Sequence, residues 1–112
     1  MDYPLIPSGI QLYYDASFVK EVDRVLDLNL SLPLDKVAYM MSLLRKGIQS
    51  LTNDNERVRN EDDWNTLSYS IDNIGIVFFH LIQDAETRET FIQITGIRWA
   101  LKDSPFFKDF QV

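Results

Sequence analysis

The sequence predicts an α+β domain whose two N-terminal helices pack on one side of an antiparallel sheet. A short strand comes first, and two consecutive segments within residues 15–51 then place apolar residues at helical spacing. Three strand patterns follow in the second half of the chain. No repeat, low-complexity tract or glycine-serine linker divides the 112 residues, so residues 1–112 are expected to form a single domain. Its core is assigned to residues 10–103, and residues 104–112 form a phenylalanine-rich tail.

The first strand is predicted at residues 10–14, after a lead that contains two prolines and a glycine. Either Asp15 or Ser17 can cap the helix that follows, because a short oxygen-bearing side chain accepts a hydrogen bond from a free backbone N–H group. The apolar positions of this helix share one face: Phe18, Val22, Val25 and Leu26.

The second helix is predicted from Pro33 onward, since proline is pre-set for a first helical turn. Its apolar positions repeat at intervals of three and four residues: Leu34, Val37, Met41, Leu44, Ile48 and Leu51. This is the pattern of an amphipathic helix of about five turns. Such a row can pack on a sheet or form a seam with another helix. Gly47 interrupts the row, which favours packing on the sheet.

The remaining strands follow a charge-dense break at residues 53–63. Residues 64–72 alternate loosely and are predicted as a strand that ends in turn residues. Residues 76–82, IVFFHLI, are apolar on both alternating faces, which places this strand near the centre of the sheet. A polar loop at residues 83–89 leads to a returning strand at residues 90–97, where Gln93 and Thr95 share a wetter face.

Composition excludes several functional classes. The absence of cysteine excludes disulfides, thiolate metal sites and cysteine nucleophiles, and it favours a cytoplasmic location. The segment MDYPLIPSGIQLYY does not have the pattern of a signal peptide, and no segment approaches the ~20 apolar residues of a membrane span. Seventeen acids against eleven bases give a net charge of −6. That charge fits a basic partner, or an enzyme whose positive patch is local.

His80 is the first candidate acid or base, because it is the only histidine in the chain. Its place in an apolar strand also fits a hydrogen-bonded histidine of the sheet. One histidine without cysteine makes a transition-metal site unexpected, and Glu61, Asp62 and Asp63 lack the glycine and alternation of a calcium loop. We therefore expect no metal and no cofactor. The acidic segment is interpreted as a solvated loop or a surface for a partner.

Three arginines form the second candidate cluster. If the sheet forms as predicted, Arg57, Arg59 and Arg98 converge at one edge, where their guanidinium groups can grip a phosphate. The alternative is that each arginine pairs with one of the abundant surface acids. Tyr69 is a further candidate for the general acid or general base. The chain has no phosphate-cradling glycine loop, no G-x-S-x-G and no zincin pattern.

Several segments together carry a family resemblance: SFVKEVDRVL in the first helix, LLRKGIQSL at the end of the second, DDW before the sheet, IGIVFFHLIQD in the central strand and ITGIRWAL at the end of the last strand. With the order of elements, they resemble the RelE/ParE superfamily of bacterial toxins, especially its YafQ-like branch. The likeness covers roughly residues 10–103. In ITGIRWAL, Arg98 lies where that branch tends to have a histidine.

This resemblance implies a microbial-ribonuclease-like fold, an antitoxin partner and a target at the ribosome, or at gyrase for ParE-like members. RelE-like members cut messenger RNA without a metal, using basic residues and histidines on the concave face of the sheet. The implied role of Arg98 is to bind phosphate and stabilise a developing phosphorane charge, assisted by Arg57 or Arg59. Arg98 does not deprotonate, so acid–base work would fall to His80 or Tyr69.

Two functions from different classes are therefore predicted. The first is a toxin-like protein that acts on RNA, the ribosome or gyrase, with metal-independent endoribonuclease activity if it is an enzyme. The second is an acidic immunity or inhibitor protein, of bacterial or phage origin, that covers a basic partner such as a cognate toxin. Under a third, structural interpretation, the tail docks on a partner through three phenylalanines: Phe106, Phe107 and Phe110.

Overall fold

Two helices and five strands make up the regular structure of a computed structural model that describes residues 10–61 and 66–112. They follow in the order β1 (Gln11–Tyr14), α1 (Ala16–Leu28), α2 (Leu34–Ser50), β2 (Val58–Asn60), β3 (Thr66–Ile71), β4 (Gly75–Gln83) and β5 (Thr90–Trp99). Short 3-10 turns lie at Leu51–Asn53, Asn55–Arg57 and Leu101–Asp103. The predicted α+β class with two helices before the main strands is confirmed.

The strands form one mixed sheet in the order β1-β5-β4-β3-β2. β1 runs parallel to β5, whereas the other neighbours are antiparallel, so the prediction of an antiparallel sheet is wrong for β1. An alternating pattern shows that a segment is a strand, but it does not show which strand lies beside it or in which direction.

β2 corrects the predicted strand count. It lies inside the charge-dense segment that was expected to be a loop, and it pairs with β3 through three residues. Only Val58 of these residues is buried, while Arg59 and Asn60 are exposed. Three residues are too few to display an alternating pattern, which is why the sequence did not indicate a strand here.

Helix α1 begins as predicted. The Asp15 carboxylate accepts a hydrogen bond from the Ser17 backbone N–H at 3.0 Å, which satisfies one of the free donors of the first turn. Phe18, Val22 and Val25 are buried against the sheet, so the predicted apolar face is confirmed. These contacts attach α1 chiefly to β5.

Helix α2 starts at Leu34, one residue after Pro33, and packs on the sheet rather than forming an open seam. The residues that α2 buries are not all the ones that the spacing predicted. Met40 is fully buried and Met41 only partly, while Leu34 is 83% exposed. Gly47 lies directly against the side chain of Ile71 in β3, so the absence of a side chain at this position allows helix and sheet to approach closely.

The C-terminal tail folds back into the core. Phe107 and Phe110 are fully buried with their rings 5.4 Å apart, and Asn29 binds the backbone of Gln111 from the end of α1. Burial makes Phe107 and Phe110 unavailable to a partner, which corrects the expectation of a docking tail at these two positions. Phe106 points outward and is 66% exposed.

The two faces of the sheet differ in how far the helices cover them. Leu67, Val77, Phe79, Ile92 and Ile94 point toward the helices and are at most 3% exposed. The alternating positions of the same strands point the other way, and most of them are half-buried or exposed. We call this second surface the open face. It is defined by Tyr13 of β1, Arg59 of β2, Ser68 and Ser70 of β3, Ile76, Phe78, His80 and Ile82 of β4, and Phe91, Gln93 and Arg98 of β5.

Candidate functional site on the open face of the sheet

The register of the strands arranges the open face in rows that cross the sheet. One row joins Ser70, Ile76 and Arg98. A second row joins Arg59, Ser68, Phe78 and Gly96. A third joins Thr66, His80, Gln93 and Tyr13. The face therefore has basic residues at one end, aromatic and hydroxyl side chains along its floor, and a histidine near its centre.

A β-bulge puts Gln93 and Arg98 on the same face. These residues are five positions apart, and in a regular strand an odd separation points side chains to opposite faces. Between Phe78 and Phe79 of β4 the pairing shifts from Gly96 to Ile94, which leaves Thr95 as the extra residue of β5. The Thr95 hydroxyl donates to the Phe78 carbonyl at 3.3 Å. Without the bulge, Arg98 would point toward the helices.

The charge of the sheet differs from the charge of the whole chain. The five strands contain two arginines and one histidine but no aspartate or glutamate, although the chain carries −6 overall. Every acid therefore lies outside the described strands. The strands of the open face therefore carry positive charge on an acidic protein, although Glu61 and Asp15 lie at its rim, and a sum over the sequence cannot reveal this difference.

Arg57 and Arg59 line one groove of about 290 Å³, which we call the arginine groove. Its other lining residues are Glu61, Ser68, Ser70 and Ile76. The structure thus brings together two of the three predicted arginines, with two serine hydroxyls on the floor between them and β4. The sequence did not indicate a role for these serines, because serines within a strand pattern carry no distinctive signal.

Arg57 is already neutralised. Its guanidinium lies 3.2 Å from the Asp72 carboxylate and 3.8 Å from that of Asp54, and it donates to the Ser70 carbonyl at 3.0 Å. It also lies over the ring of Tyr69, 5.4 Å from the centroid. These contacts fit the alternative interpretation of Arg57 as a paired surface residue that anchors the loop after α2.

Arg59 and Arg98 differ from Arg57. Within residues 10–61 and 66–112, neither of them forms an ion pair with a carboxylate. Arg59 donates to the backbone carbonyls of Glu56 and Val58, at 2.6 and 3.2 Å. The Arg98 guanidinium lies 5.6 Å from the centroid of the Phe78 ring, a cation–π contact that holds it over the open face.

The strand order separates the backbone positions of these two arginines, which were expected to converge with Arg57 on one phosphate. Arg59 and Arg98 lie on strands three interstrand spacings apart, roughly 14 Å. Arg57, whose charge is compensated, does not complete a three-arginine clamp.

His80 lies on the open face, half-buried, between Thr66 of β3 and Gln93 of β5. No side chain of the described residues forms a hydrogen bond with its imidazole ring. A general base is ordinarily oriented by such a partner. His80 is therefore placed where a ligand on the open face would touch it, without the orientation that proton transfer needs.

Tyr69 lies on the opposite face of the sheet from His80 and Arg98. It is 2% exposed, and its hydroxyl forms hydrogen bonds of 3.1 Å with both Ser50 and Asp54. The candidate role of Tyr69 in acid–base work is therefore corrected. It is a core residue that ties the end of α2 to the sheet.

The acidic candidates divide into two groups. Glu61 is exposed at the rim of the arginine groove, and its backbone N–H donates to the Thr66 carbonyl at 2.9 Å. Asp62 and Asp63 lie outside the described residues. Within the described part of the chain, no three acids or histidines cluster closely enough to hold a metal ion. None of the helices described is long and apolar enough to cross a membrane.

No family model matches this chain, and no similar protein is found among curated sequences or among solved structures. The likeness to the RelE/ParE superfamily therefore remains a prediction from sequence segments and from the order of elements.

Proposed function

We propose that the open face binds single-stranded RNA and that the protein is a toxin-like inhibitor of translation, neutralised by a protein partner. The observation that carries this proposal is the pair Arg59 and Arg98, two guanidinium groups without carboxylate partners among residues 10–61 and 66–112, on strands that contain no acid. Phosphate contacts supply most of the affinity of a nucleic-acid-binding surface, and guanidinium groups suit them well.

Single-stranded RNA fits the open face better than a duplex does. The floor between the arginines contains Ile76 and Phe78, which can stack with or pack against unpaired bases, and the hydroxyls of Ser68 and Ser70, which can bond to sugar or phosphate. Proteins commonly recognise single strands by combining a basic track with aromatic platforms. The acids outside the sheet would repel nucleic acid from the rest of the surface, which favours binding at this face, although Glu61 and Asp15 border it.

Binding, rather than cleavage, is the step that the geometry supports. Arg98 can stabilise negative charge but cannot remove a proton. His80 shares the face but has no orienting partner among the described residues, so cleavage would require the bound RNA itself to orient the ring. We therefore propose inhibition by occupancy of an RNA site, with ribonuclease activity as an additional step that an assay of RNA integrity would detect.

Induced expression in a bacterium tests the proposal. We expect the wild-type protein to arrest growth, Arg98→Ala to relieve the arrest, and Arg24→Ala to leave it intact. Arg24 is a suitable control because it lies on α1, in the layer behind the sheet, and already pairs with Glu21 at 2.7 Å. Absence of arrest, with folded wild-type protein present, would contradict the proposal.

A second candidate, an acidic inhibitor of a basic partner, is favoured by the β4–β5 hairpin. Its Glu86 and Glu89 are exposed, and neither forms an ion pair with a described residue. Asp84 accepts hydrogen bonds from the backbone of Thr87 and Glu86, which lower the pKa of its carboxyl and hold the turn in shape. Charge reversal at Glu86 and Glu89 would abolish capture of a basic partner if this function holds, and would leave growth arrest unchanged if the first one does.

A further inference from the structure

A second concavity on the open face lies at the opposite end from the arginine groove. It measures about 380 Å³ and is lined by Tyr13, Ile82, Phe91 and Gln93. This size is within the range of small-molecule sites, and the lining combines aromatic, aliphatic and amide groups. We call it the aromatic pocket. The sequence placed Gln93 on a wetter face but predicted no site at these residues, because β1 and β5 are adjacent only in the folded sheet.

We propose that the aromatic pocket is a subsite for one unpaired nucleobase of the RNA strand held by Arg59 and Arg98. The inference rests on the proposed function, because it assumes that the open face binds RNA. It adds a nucleobase as the ligand of this pocket and four residues that would contact it. The pocket and the arginine groove share one surface on either side of His80 and Phe78, so one strand can reach both.

The ring geometry of the pocket suits a flat heterocycle. Tyr13 and Phe91 have centroids 5.1 Å apart and planes inclined at 81°, so one ring presents its face where the other presents its edge. A base can stack on the exposed part of the Tyr13 ring, beside its contact with Phe91. Tyr13 is 50% exposed, which leaves much of its ring free for such contact.

Polar contacts hold both ends of the pocket in place before any ligand arrives. The Tyr13 hydroxyl donates to the Gln11 side-chain oxygen at 2.6 Å, which fixes the direction of the ring. The Gln93 amide nitrogen donates to the Asp15 carboxylate at 3.1 Å. Asp15 is in turn held by the first turn of α1, so the pocket is attached to a helix terminus and does not depend on a mobile loop.

This arrangement also defines what Gln93 offers to a ligand. Its amide nitrogen donates one of its two hydrogens to Asp15, which leaves the second N–H as a donor and the amide oxygen as an acceptor. Every nucleobase carries both donors and acceptors on its edge, so Gln93 can form hydrogen bonds with any of the four bases.

The experiment compares the affinity of the full chain for two probes of equal charge, measured by fluorescence anisotropy. The probes are a labelled decamer of adenylate and a decamer of the same ribose-phosphate backbone without bases. For the wild-type protein we expect tighter binding of the adenylate decamer. Tyr13→Ala should weaken binding of that decamer by about tenfold and leave the abasic one unchanged, because stacking is lost and charge is not.

A matched control and a second variant show whether the effect is specific to the aromatic pocket. Tyr39 is 52% exposed on α2, on the other side of the sheet, so Tyr39→Ala should change neither affinity. Gln93→Ala should weaken binding of the adenylate decamer without affecting the abasic probe. Circular dichroism establishes that each variant is folded.

The outcomes separate the subsite from the proposed function. If Tyr13→Ala weakens both probes equally or neither, while Arg59→Ala and Arg98→Ala weaken both, the aromatic pocket is not a base subsite and the RNA-binding face stands. If the wild-type protein binds neither decamer, or if the arginine variants bind as wild type does, the proposed function fails and the subsite fails with it.

Discussion

Replacement of Gly47 by alanine tests which face of the sheet the helices cover. An ideal Cβ at position 47 would lie 2.5 Å from Ile71 Cγ2 and 2.7 Å from both Cγ1 and Cδ1. Two of these atoms are bonded directly to the Cβ of Ile71, and a β-branched side chain has little freedom at χ1. Ile71 is itself only 8% exposed, so it has little room to move away.

The expected free-energy change is the difference between two opposing effects. Alanine in place of glycine improves helix propensity by about 1 kcal/mol. Overpacking of a tight contact costs about 1–3 kcal/mol. We therefore expect Gly47→Ala to lower the free energy of unfolding by up to about 2 kcal/mol, measured by urea denaturation.

Two further variants make this result specific to the contact. Ala38 is exposed on the same helix, so Ala38→Gly should cost about 1 kcal/mol, which shows that alanine is the better residue where space is free. In an Ile71→Ala background the three opposing carbons are absent, and Gly47→Ala should then stabilise the protein. If Gly47→Ala stabilises the wild-type chain by about 1 kcal/mol, α2 does not pack on β3 as described. The assignment of the open face as the side without helices would then be wrong.

Three other predictions concern the core and its pH dependence. Phe110→Ala should cost about 3–5 kcal/mol in urea denaturation because the side chain is fully buried, whereas Phe106→Ala should change stability by no more than about 0.5 kcal/mol. Tyr69→Phe should cost about 1 kcal/mol, and an unchanged free energy of unfolding would contradict its hydrogen-bonded role. Hydrogen bonds from the Ser17 hydroxyl and backbone lower the pKa of Asp15, so its carboxylate stabilises the fold above its ordinary pKa of 3.8, and this contribution is lost as pH falls through the lower folded-state value. Acid titration of stability should therefore show a smaller loss in Asp15→Asn than in wild type.

Local patterns in the sequence were sufficient to predict both helices and the three longer strands. Helical spacing placed Phe18, Val22 and Val25 on a buried face, and the chemistry of Asp15 identified the start of α1. The run at residues 76–82 was correctly placed near the centre, since β4 lies between β5 and β3. These features depend on residues within a few positions of each other, so periodicity can reveal them.

The features that the sequence did not reveal depend on contacts between distant segments. The parallel pairing of β1 with β5 and the short strand β2 both require knowledge of the neighbouring strand. The bulge at Thr95 changes which side chains share a face, and nothing in the alternation of β5 indicates it. The aromatic tail looked like a docking segment because its three phenylalanines gave no sign that two of them fill the domain's own core.

The sequence predicted only part of the candidate site, because the rest of it also depends on contacts between distant segments. Arg59 and Arg98 were selected for their chemistry, and the structure places both on the open face, but their separation and the pairing of Arg57 could not be inferred from spacing along the chain. The acid-free composition of the strands becomes visible only when strand boundaries are known. A net charge of −6 therefore concealed the surface on which the proposal depends.

The salt dependence of RNA binding tests the central claim most directly. A single-stranded RNA decamer is titrated at several salt concentrations with wild type, with Arg59→Ala/Arg98→Ala, and with Lys20→Ala/Arg24→Ala, which removes the same charge from α1. Each phosphate contact on a single strand contributes about 0.7 to the slope of log affinity against log salt. The account predicts that the first double variant loses about 1.4 from that slope while the second retains the wild-type value. Equal losses in both double variants, or no measurable binding by the wild type, would contradict it.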